Sequence, residues 1–201
     1  PLSSIKAYVE MLVDGEAEDE QTRAEFYSII QSETNRLSRL IDNILNISRI
    51  ESGIVKVQRE NISLPSIIKE TVDVLQPQAR AKQITLSEQS SPLFYQVHAD
   101  KDMIYQAVLN LVGNAIKYTP AGGRVSVNTV VDEHRRQVTV NVTDTGVGIP
   151  SDALPHLFNK FYRVNDHKKI AKGTGLGLNL VKHIVETVHG GAVSVTSEVG
   201  K

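Results

Sequence analysis

The sequence contains no cysteine. Disulfides, thiolate nucleophiles and cysteine metal sites are therefore excluded, and a reducing interior is compatible with the chain. Long apolar runs are missing as well. Nothing in these residues approaches the roughly 18 residues that a membrane span needs, and no signal-peptide pattern is visible. Neither charge sign is in excess: 22 Lys and Arg stand against 23 Asp and Glu, for a formal net charge of -1. No global field draws such a chain to nucleic acid or to an anionic membrane. Internal repeats and low-complexity segments are absent too. What remains is ordinary for a soluble globular protein: 201 residues, 40% hydrophobic and 22% charged. That length allows one or two domains and a core of useful size.

Two regions differ in texture, with the boundary expected at residues 54 and 55. Residues 1–54 are all helix and turn. Leu2, Ile5, Val9 and Leu12 recur at steps of three and four, one stripe of an amphipathic helix. The acidic, glycine-containing run "VDGEAEDE" suits a connecting turn. Thr22 and Glu25 fit a capping box, which predicts a helix start there. The helix that follows, to about Ser52, is about 30 residues and roughly 45 Å long at 1.5 Å per residue. Phe26, Ile30, Leu37, Leu40, Ile44 and Ile47 keep heptad steps along it, with Glu33 the one polar member. Ile29, Ile41, Leu45 and Ile50 widen the stripe beyond what one short partner helix covers. An ordinary hairpin packed on the rest of the chain is one outcome. The favoured one is an antiparallel helical hairpin that dimerises into a four-helix bundle.

Residues 55–201 change to mixed α/β. "PSIIKETVDVLQPQARAKQ" predicts a helix, "ITLSEQ" a strand, and "DKDMIYQAVLNLVGNAIKY" a helix capped by Asp100. "RVSVNTVVD" and "QVTVNVTD" alternate with period two, as half-buried strands do, around an "EHRR" hairpin loop. "GLGLNLVKHIVETVHGG" predicts a helix stopped by Gly190 and Gly191, and "AVSVTSEV" a final strand.

Three stretches carry chemistry. On the "NLVGNAIKYTP" helix, Ile104, Val108, Leu111, Val112 and Ala115 define the buried face. Asn110, Asn114 and Lys117 cluster roughly 140° away from it, on an exposed stripe. An amide oxygen is a hard ligand suited to Mg²⁺, which usually shares a substrate's phosphate oxygens; a solvated surface is the plainer alternative. "DTGVGIP" follows a strand whose Val138, Val140 and Val142 face one way. Gly146 and Gly148 permit a tight turn and close backbone approach, and Asp144 sets a carboxylate beside it. An exocyclic amine such as that of adenine would satisfy that carboxylate, whereas the guanine oxygen would be repelled. "KGTGLGLNLVKHIV" runs a glycine cluster straight into a helix, where backbone N–H groups bind phosphate. The irregular basic segment between Arg163 and Gly173 suits a mobile lid. Taken singly, each has a bland counterpart in a glycine turn or a solvated loop.

The order N-x-x-x-N-A-x-K-Y, D-T-G-x-G-I, F-x-x-F-Y-R and K-G-T-G-L-G-L resembles the catalytic core of a two-component sensor histidine kinase. The likeness covers essentially the whole chain, because the hairpin is similar to that family's dimerisation and histidine-phosphotransfer domain. It implies an α + α/β architecture: the dimerising hairpin, then an α/β sandwich holding ATP between helices and a lid. By resemblance Asn114 is the Mg²⁺ ligand, with Asn110 and Lys117 beside the phosphates. Tyr118 would flank the base and Asp144 would take the adenine amine, in a pocket shaped by Gly146 and Gly148. Arg163, after Phe158 and Phe161, would reach the phosphates. Gly173, Thr174, Gly175, Leu176 and Gly177 would hold the triphosphate. The resemblance also implies a homodimer through residues 1–54 and a response-regulator receiver domain as partner. It further implies a cytoplasmic domain whose parent is anchored in the bacterial inner membrane, with any membrane contact made through regions upstream of this chain.

Related ATPases of the same fold place a glutamate four residues before the metal-binding asparagine, where it activates water. Here that position is Asn110. An amide is no general base, and a positioned base contributes roughly 10²–10⁴-fold. Transfer to a neutral imidazole needs no such base, so a kinase is favoured over a hydrolase. The histidines are His98, His134, His156, His167, His183 and His189, and none lies on the hairpin. In the family the acceptor motif ends in a proline that Pro1 matches, which puts the expected phosphoacceptor five residues upstream of Pro1. A nucleotide-binding pseudokinase or scaffold without phosphotransfer is the alternative.

Overall fold

The computed structural model describes residues 1–51, 56–89, 95–164 and 173–200. The chain divides into two compact units, Pro1–Ser52 and Gly53–Lys201.

The first unit is a helical hairpin of α1 (Leu2–Val13) and α2 (Glu20–Glu51). Gly15 ends α1 with φ at +75°. The Gly15 N–H donates to the Leu12 carbonyl at 3.4 Å and the Glu16 N–H to the Met11 carbonyl at 3.0 Å. This is a Schellman closure, and its left-handed residue is best supplied by glycine. The start of α2 differs from the expected capping box. Asp19, not Thr22, is the cap: its carboxylate accepts from the Thr22 N–H at 2.8 Å and from the Thr22 hydroxyl at 2.6 Å. A carboxylate at a helix N-terminus also meets the positive end of the dipole, so Asp19 outcompetes a threonine one turn further in. Tyr8 and Phe26 pack edge to face across the hairpin with ring centroids 5.1 Å apart. Glu33 is buried and paired with Arg36 at 3.2 Å, which accounts for the one polar member of the stripe. The side chains of Ile47 and Ile50 lie outside the described residues.

The second unit is a two-layer α/β sandwich. Its strands are β1 (Arg59–Ile62), β2 (Thr85–Gln89), β3 (Val97–Asp100), β4 (Arg124–Asp132) and β5 (Gln137–Asp144). Its helices are α3 (Leu64–Ala81), α4 (Lys101–Tyr118) and α5 (Gly177–Lys182), the last continuing as a π-helical segment, His183–Val188. The sheet is mixed, in the order β2-β4-β5, with β2 parallel and β5 antiparallel to β4. Alternation turns Val125, Val127 and Thr129 of β4 inward while Arg124, Ser126 and Val130 face solvent. The inner face packs with Ile67, Ile68 and Val72 of α3 and with Val112 and Ile116 of α4 into one core. The starts of α3 and α4 are capped as their sequences dictate. Ser63 accepts from the Ser66 N–H and Asp100 from the Met103 N–H.

β1 and β3 form a separate antiparallel pair that the sequence pattern does not announce, since each strand is only 4 residues long. The expected final strand over "AVSVTSEV" is corrected: residues 192–198 are irregular. Alternation supplies a face but not a partner. This segment's bonds go elsewhere, the Ser197 hydroxyl accepting from the Ile149 N–H at 2.9 Å. Among the described residues, no helix is long and apolar enough to cross a membrane.

Candidate functional site

Three pieces of the second unit converge: the C-terminal half of α4, the turn after β5, and the glycine segment that opens α5. Asn110, Asn114, Lys117 and Tyr118 project from α4. None is fully exposed; all are half-buried, which corrects the expectation of a solvent-facing stripe. The physical reason is that the stretch leading into α5 lies against them. A Cβ built on Gly177 would sit 2.9 Å from Asn110 Oδ1 and 3.8 Å from Asn114 Nδ2. Asn110 Nδ2 donates to the Gln106 carbonyl of its own helix at 2.9 Å. That bond fixes the amide and turns its oxygen toward Gly177.

The cations gather at Gly173. A Cβ there would overlap Lys117 Nζ and fall 3.9 Å from Arg163 Nε. The Lys117 ammonium also stands 4.9 Å from the centre of the Tyr118 ring, within cation–π range. Gly175 has φ at +75°, and a Cβ on it would meet the Phe161 carbonyl carbon at 2.6 Å. Its own carbonyl accepts from the Phe161 N–H at 2.9 Å. Close backbone approach therefore demands glycine at this position. Leu176 is buried at 1% exposure and its N–H reaches the Thr174 hydroxyl at 3.3 Å. Leu176 anchors the segment rather than presenting a side chain to it.

The turn after β5 is built around Asp144, which pairs with Val125 at the end of the ladder. Asp144 is exposed, and its Oδ1 accepts from the Gly146 N–H at 2.8 Å. A Cβ on Gly146 would lie 2.5 Å from that oxygen and 2.9 Å from the Tyr118 carbonyl. The Val147 N–H donates to the Tyr118 carbonyl at 3.3 Å, tying the turn to the last residue of α4. Gly148 has φ at +72°, and a Cβ on it would overlap the Glu198 carbonyl oxygen.

The structure thus brings together Asn110, Asn114, Lys117, Arg163 and the 173–177 segment, and holds Asp144, Gly146 and Gly148 beside Tyr118 through Val147. Of the segment between Arg163 and Gly173 expected to be a lid, residues 165–172, His167 and Lys172 among them, lie outside the described residues. Sequence reasoning missed Asn179, whose Nδ2 donates to the Phe158 carbonyl at 2.9 Å. Asn179 ties α5 to the segment bearing Phe161 and Arg163. Read along a helix it looks like any solvated polar residue, so no signal marked it. Among the described residues, no cluster of three or more His, Cys, Asp or Glu could hold a metal. The amide oxygens of Asn110 and Asn114 are nevertheless hard donors of the type that suits a Mg²⁺ shared with phosphate oxygens and water. Two cations, Lys117 and Arg163, beside the glycine segment give a cradle whose chemistry suits an anion.

A mixed α/β sandwich with such a cradle, in a chain that also has a helical hairpin, is the makeup of a nucleotide-using protein of the kinase and ATPase kind. Residues 99–201 match the family model "Histidine kinase-, DNA gyrase B-, and HSP90-like ATPase", and residues 1–53 match "His Kinase A (phospho-acceptor) domain". The chain is 34% identical over 209 residues to Drug sensory protein A of Synechocystis, covering 100% of this chain and 31% of that protein. It is 32% identical over 203 residues to sensor histidine kinase WalK of Bacillus subtilis, covering 100% and 33%. The chain therefore spans about a third of the length of the curated relatives it matches. Among solved structures, full-length ShkA in complex with AMPPNP aligns with a TM-score of 0.75 at 28% identity, over 91% of this chain and 37% of that one. Histidine kinase ThkA in complex with response regulator TrrA shares the fold, with a TM-score of 0.72 at 23% identity, over 92% and 51%. The chain belongs to the two-component sensor histidine kinases, of which it is a catalytic core.

Proposed function

We propose that this chain is the ATP-dependent engine of its parent kinase, moving the γ-phosphoryl group of ATP to a histidine imidazole. From there the group would pass to a response-regulator aspartate. The single observation that carries the reading is Gly173, flanked by Lys117 Nζ and Arg163 Nε at the mouth of the glycine segment. Two cations from different elements beside one glycine segment suit a triphosphate. Asn114, with Asn110 beside it, would hold Mg²⁺, whose chemistry is to neutralise charge on the phosphate oxygens. Asp144, at the head of the Gly146–Gly148 turn, would accept from the adenine amine, and Tyr118 would flank the base. In the transfer the neutral imidazole nitrogen forms a bond to the γ-phosphorus. The bond from that phosphorus to the bridging oxygen breaks, and ADP leaves with the electron pair. No residue at position 110 can deprotonate water, which favours transfer over hydrolysis.

Homodimerisation is the second part of the proposal. Ile41, Ile44 and Leu45 of α2 are each at least 45% exposed, and Leu2 and Val9 of α1 are exposed as well. A second hairpin covering these residues would complete a four-helix bundle. The family likeness supports a receiver domain as the further partner. A parent anchored in the inner membrane, with this core on its cytoplasmic side, is in keeping with the relatives named as sensors.

Residues 1–53 hold no histidine. The chain as given should therefore bind ATP with Mg²⁺ yet take up no label from γ-labelled ATP. Calorimetry should show the Asp144→Asn variant binding about tenfold more weakly, the scale of one lost charged hydrogen bond. Unchanged affinity would refute the role of Asp144. Stable labelling of the chain would show an acceptor within it. Absence of any ATP binding would leave only a scaffold.

A further inference from the structure

An α-helix leaves its last four carbonyls without intrahelical partners. In α4 these belong to Ala115, Ile116, Lys117 and Tyr118, and the structure accounts for each. The Ala115 carbonyl accepts from the Thr119 N–H at 3.1 Å and from the Thr119 hydroxyl at 2.7 Å. The Tyr118 carbonyl accepts from the Val147 N–H at 3.3 Å. The two between them accept from one side chain that belongs to neither α4 nor the glycine turns. Lys82 Nζ donates to the Ile116 carbonyl at 2.9 Å and to the Lys117 carbonyl at 2.6 Å.

Lys82 is held for this task. It caps the end of α3, its N–H donating to the Gln78 and Ala79 carbonyls. Gln83 then takes a left-handed conformation with φ at +58°, and its carbonyl accepts from the Gly122 N–H at 2.9 Å. The Ile84 N–H returns to the Ala79 carbonyl at 2.9 Å. The turn presenting Lys82 is thus pinned on both sides. Burial lowers the Lys82 pKa below the ordinary 10.5, an opposing cost that two carbonyls at the negative end of a helix offset.

We propose that Lys82 is a positioning residue of the nucleotide site, holding the last turn of α4 in the geometry that ATP binding requires. The proposal rests on the ATP reading given above. Ile116 is 0% exposed with Lys82 in place, so its carbonyl depends on the ammonium for a partner, and an acceptor left unsatisfied under an apolar stem is costly. The turn relieves that cost by unwinding. It is this turn that aims Lys117 at Gly173 and carries Tyr118, whose carbonyl holds Val147 between Gly146 and Gly148. One lysine outside the glycine segments and the cation pair therefore sets both the cation at the phosphate end and the turn at the base end.

The test uses the full chain. Lys82→Met removes the ammonium and keeps the stem, Lys82→Gln keeps a neutral donor, and Lys82→Arg keeps the charge. Val72→Ala, in the α3 core, supplies a general destabilisation away from the site. ATP–Mg²⁺ affinity is measured by calorimetry at a temperature where circular dichroism shows each variant folded. Lys82→Met should bind about tenfold more weakly, Lys82→Gln should fall between, and Lys82→Arg should recover most of the affinity. Val72→Ala should melt lower yet bind as the parent does. Amide exchange at Thr119 and Val147 should quicken in Lys82→Met and not in Val72→Ala. Parent-like affinity in folded Lys82→Met, or in Lys82→Gln should the methionine variant not fold, overturns the proposal. So does an equal loss in Val72→Ala. If the unsubstituted chain binds no ATP, the ATP reading fails instead, and amide exchange still decides whether Lys82 holds the turn.

Discussion

The hairpin and the nucleotide-binding unit carry the same kind of apolar stripe and treat it in opposite ways. α1 has no buried residue. Among the described residues up to Glu51, Ala17 is the only buried apolar side chain. In the second unit, helices with comparable stripes bury theirs: Ile67, Ile68, Val112, Ile116, Leu180 and Ile184 are each 2% exposed or less. The difference lies in what faces the stripe. α3 and α4 lie on a sheet whose inward Val125 and Val127 close one core, whereas α2 has only α1 beside it within its unit. Apolar area stabilises by roughly 25 cal/mol per Å² only once it leaves water. The second unit therefore has a core of its own. The hairpin's stability depends on a further surface, which the proposed dimer supplies.

The sharpest way to break this contrast is a pair of substitutions. Ile44→Asp would place an unpaired charge in the proposed bundle, where burial without a partner is prohibitive. Sedimentation should show a dimer converted to monomer, with nucleotide affinity retained. Ile116→Ala should leave the dimer intact and cost the second unit about 2–5 kcal/mol in denaturant unfolding, as buried Ile-to-Ala truncations do. A monomeric parent chain, or an Ile44→Asp variant that remains dimeric, would show that the hairpin is not the interface.

A smaller effect of opposite sign is expected at Gly113, inside α4. A Cβ there would meet nothing within 4 Å, so packing does not require the glycine. Gly113→Ala should raise the unfolding free energy of the second unit by about 1 kcal/mol. Unchanged or lowered stability would mean that the backbone at this position is not simply helical in solution.

The smallest effect concerns the hairpin and pH. Hydrogen bonds from the Thr22 side chain and backbone hold the Asp19 carboxyl below its ordinary 3.8. A carboxylate with a depressed folded pKa contributes stability that is present above the unfolded value and is lost as pH falls through the folded value. The helicity of α2 should thus fall in that acid window, and Asp19→Asn should flatten the fall. A circular dichroism titration identical in parent and variant would remove Asp19 as the cap.

Much of the fold was legible because the patterns are long. α3, α4, β4 and β5 each run 8 residues or more with unbroken periodicity, and the Asp100 cap of α4 was legible from its position. The four-residue β1 and β3 were not, because so short a run fits several states. The "AVSVTSEV" alternation misled for a different reason: period two describes a strand's faces but not whether a ladder partner is available. For the site, the glycine clusters and the Asn110, Asn114 and Lys117 spacing were visible, since each follows from local geometry. Lys82 and Asn179 were not. Each reaches a carbonyl in another element, and no local pattern records such a bond.

By itself the sequence determined the kinds of the longer elements, the residue types that meet at the glycine segments, and the absence of a water-activating base at Asn110. These are local matters of side-chain period, backbone freedom and functional-group chemistry. Only the tertiary structure decided that the asparagine stripe is half-buried beneath the start of α5, that Arg163 and Lys117 flank Gly173, and that Lys82 closes the end of α4. Those depend on contacts between residues tens of positions apart. Such contacts form only when a shared core has fixed the elements that carry them.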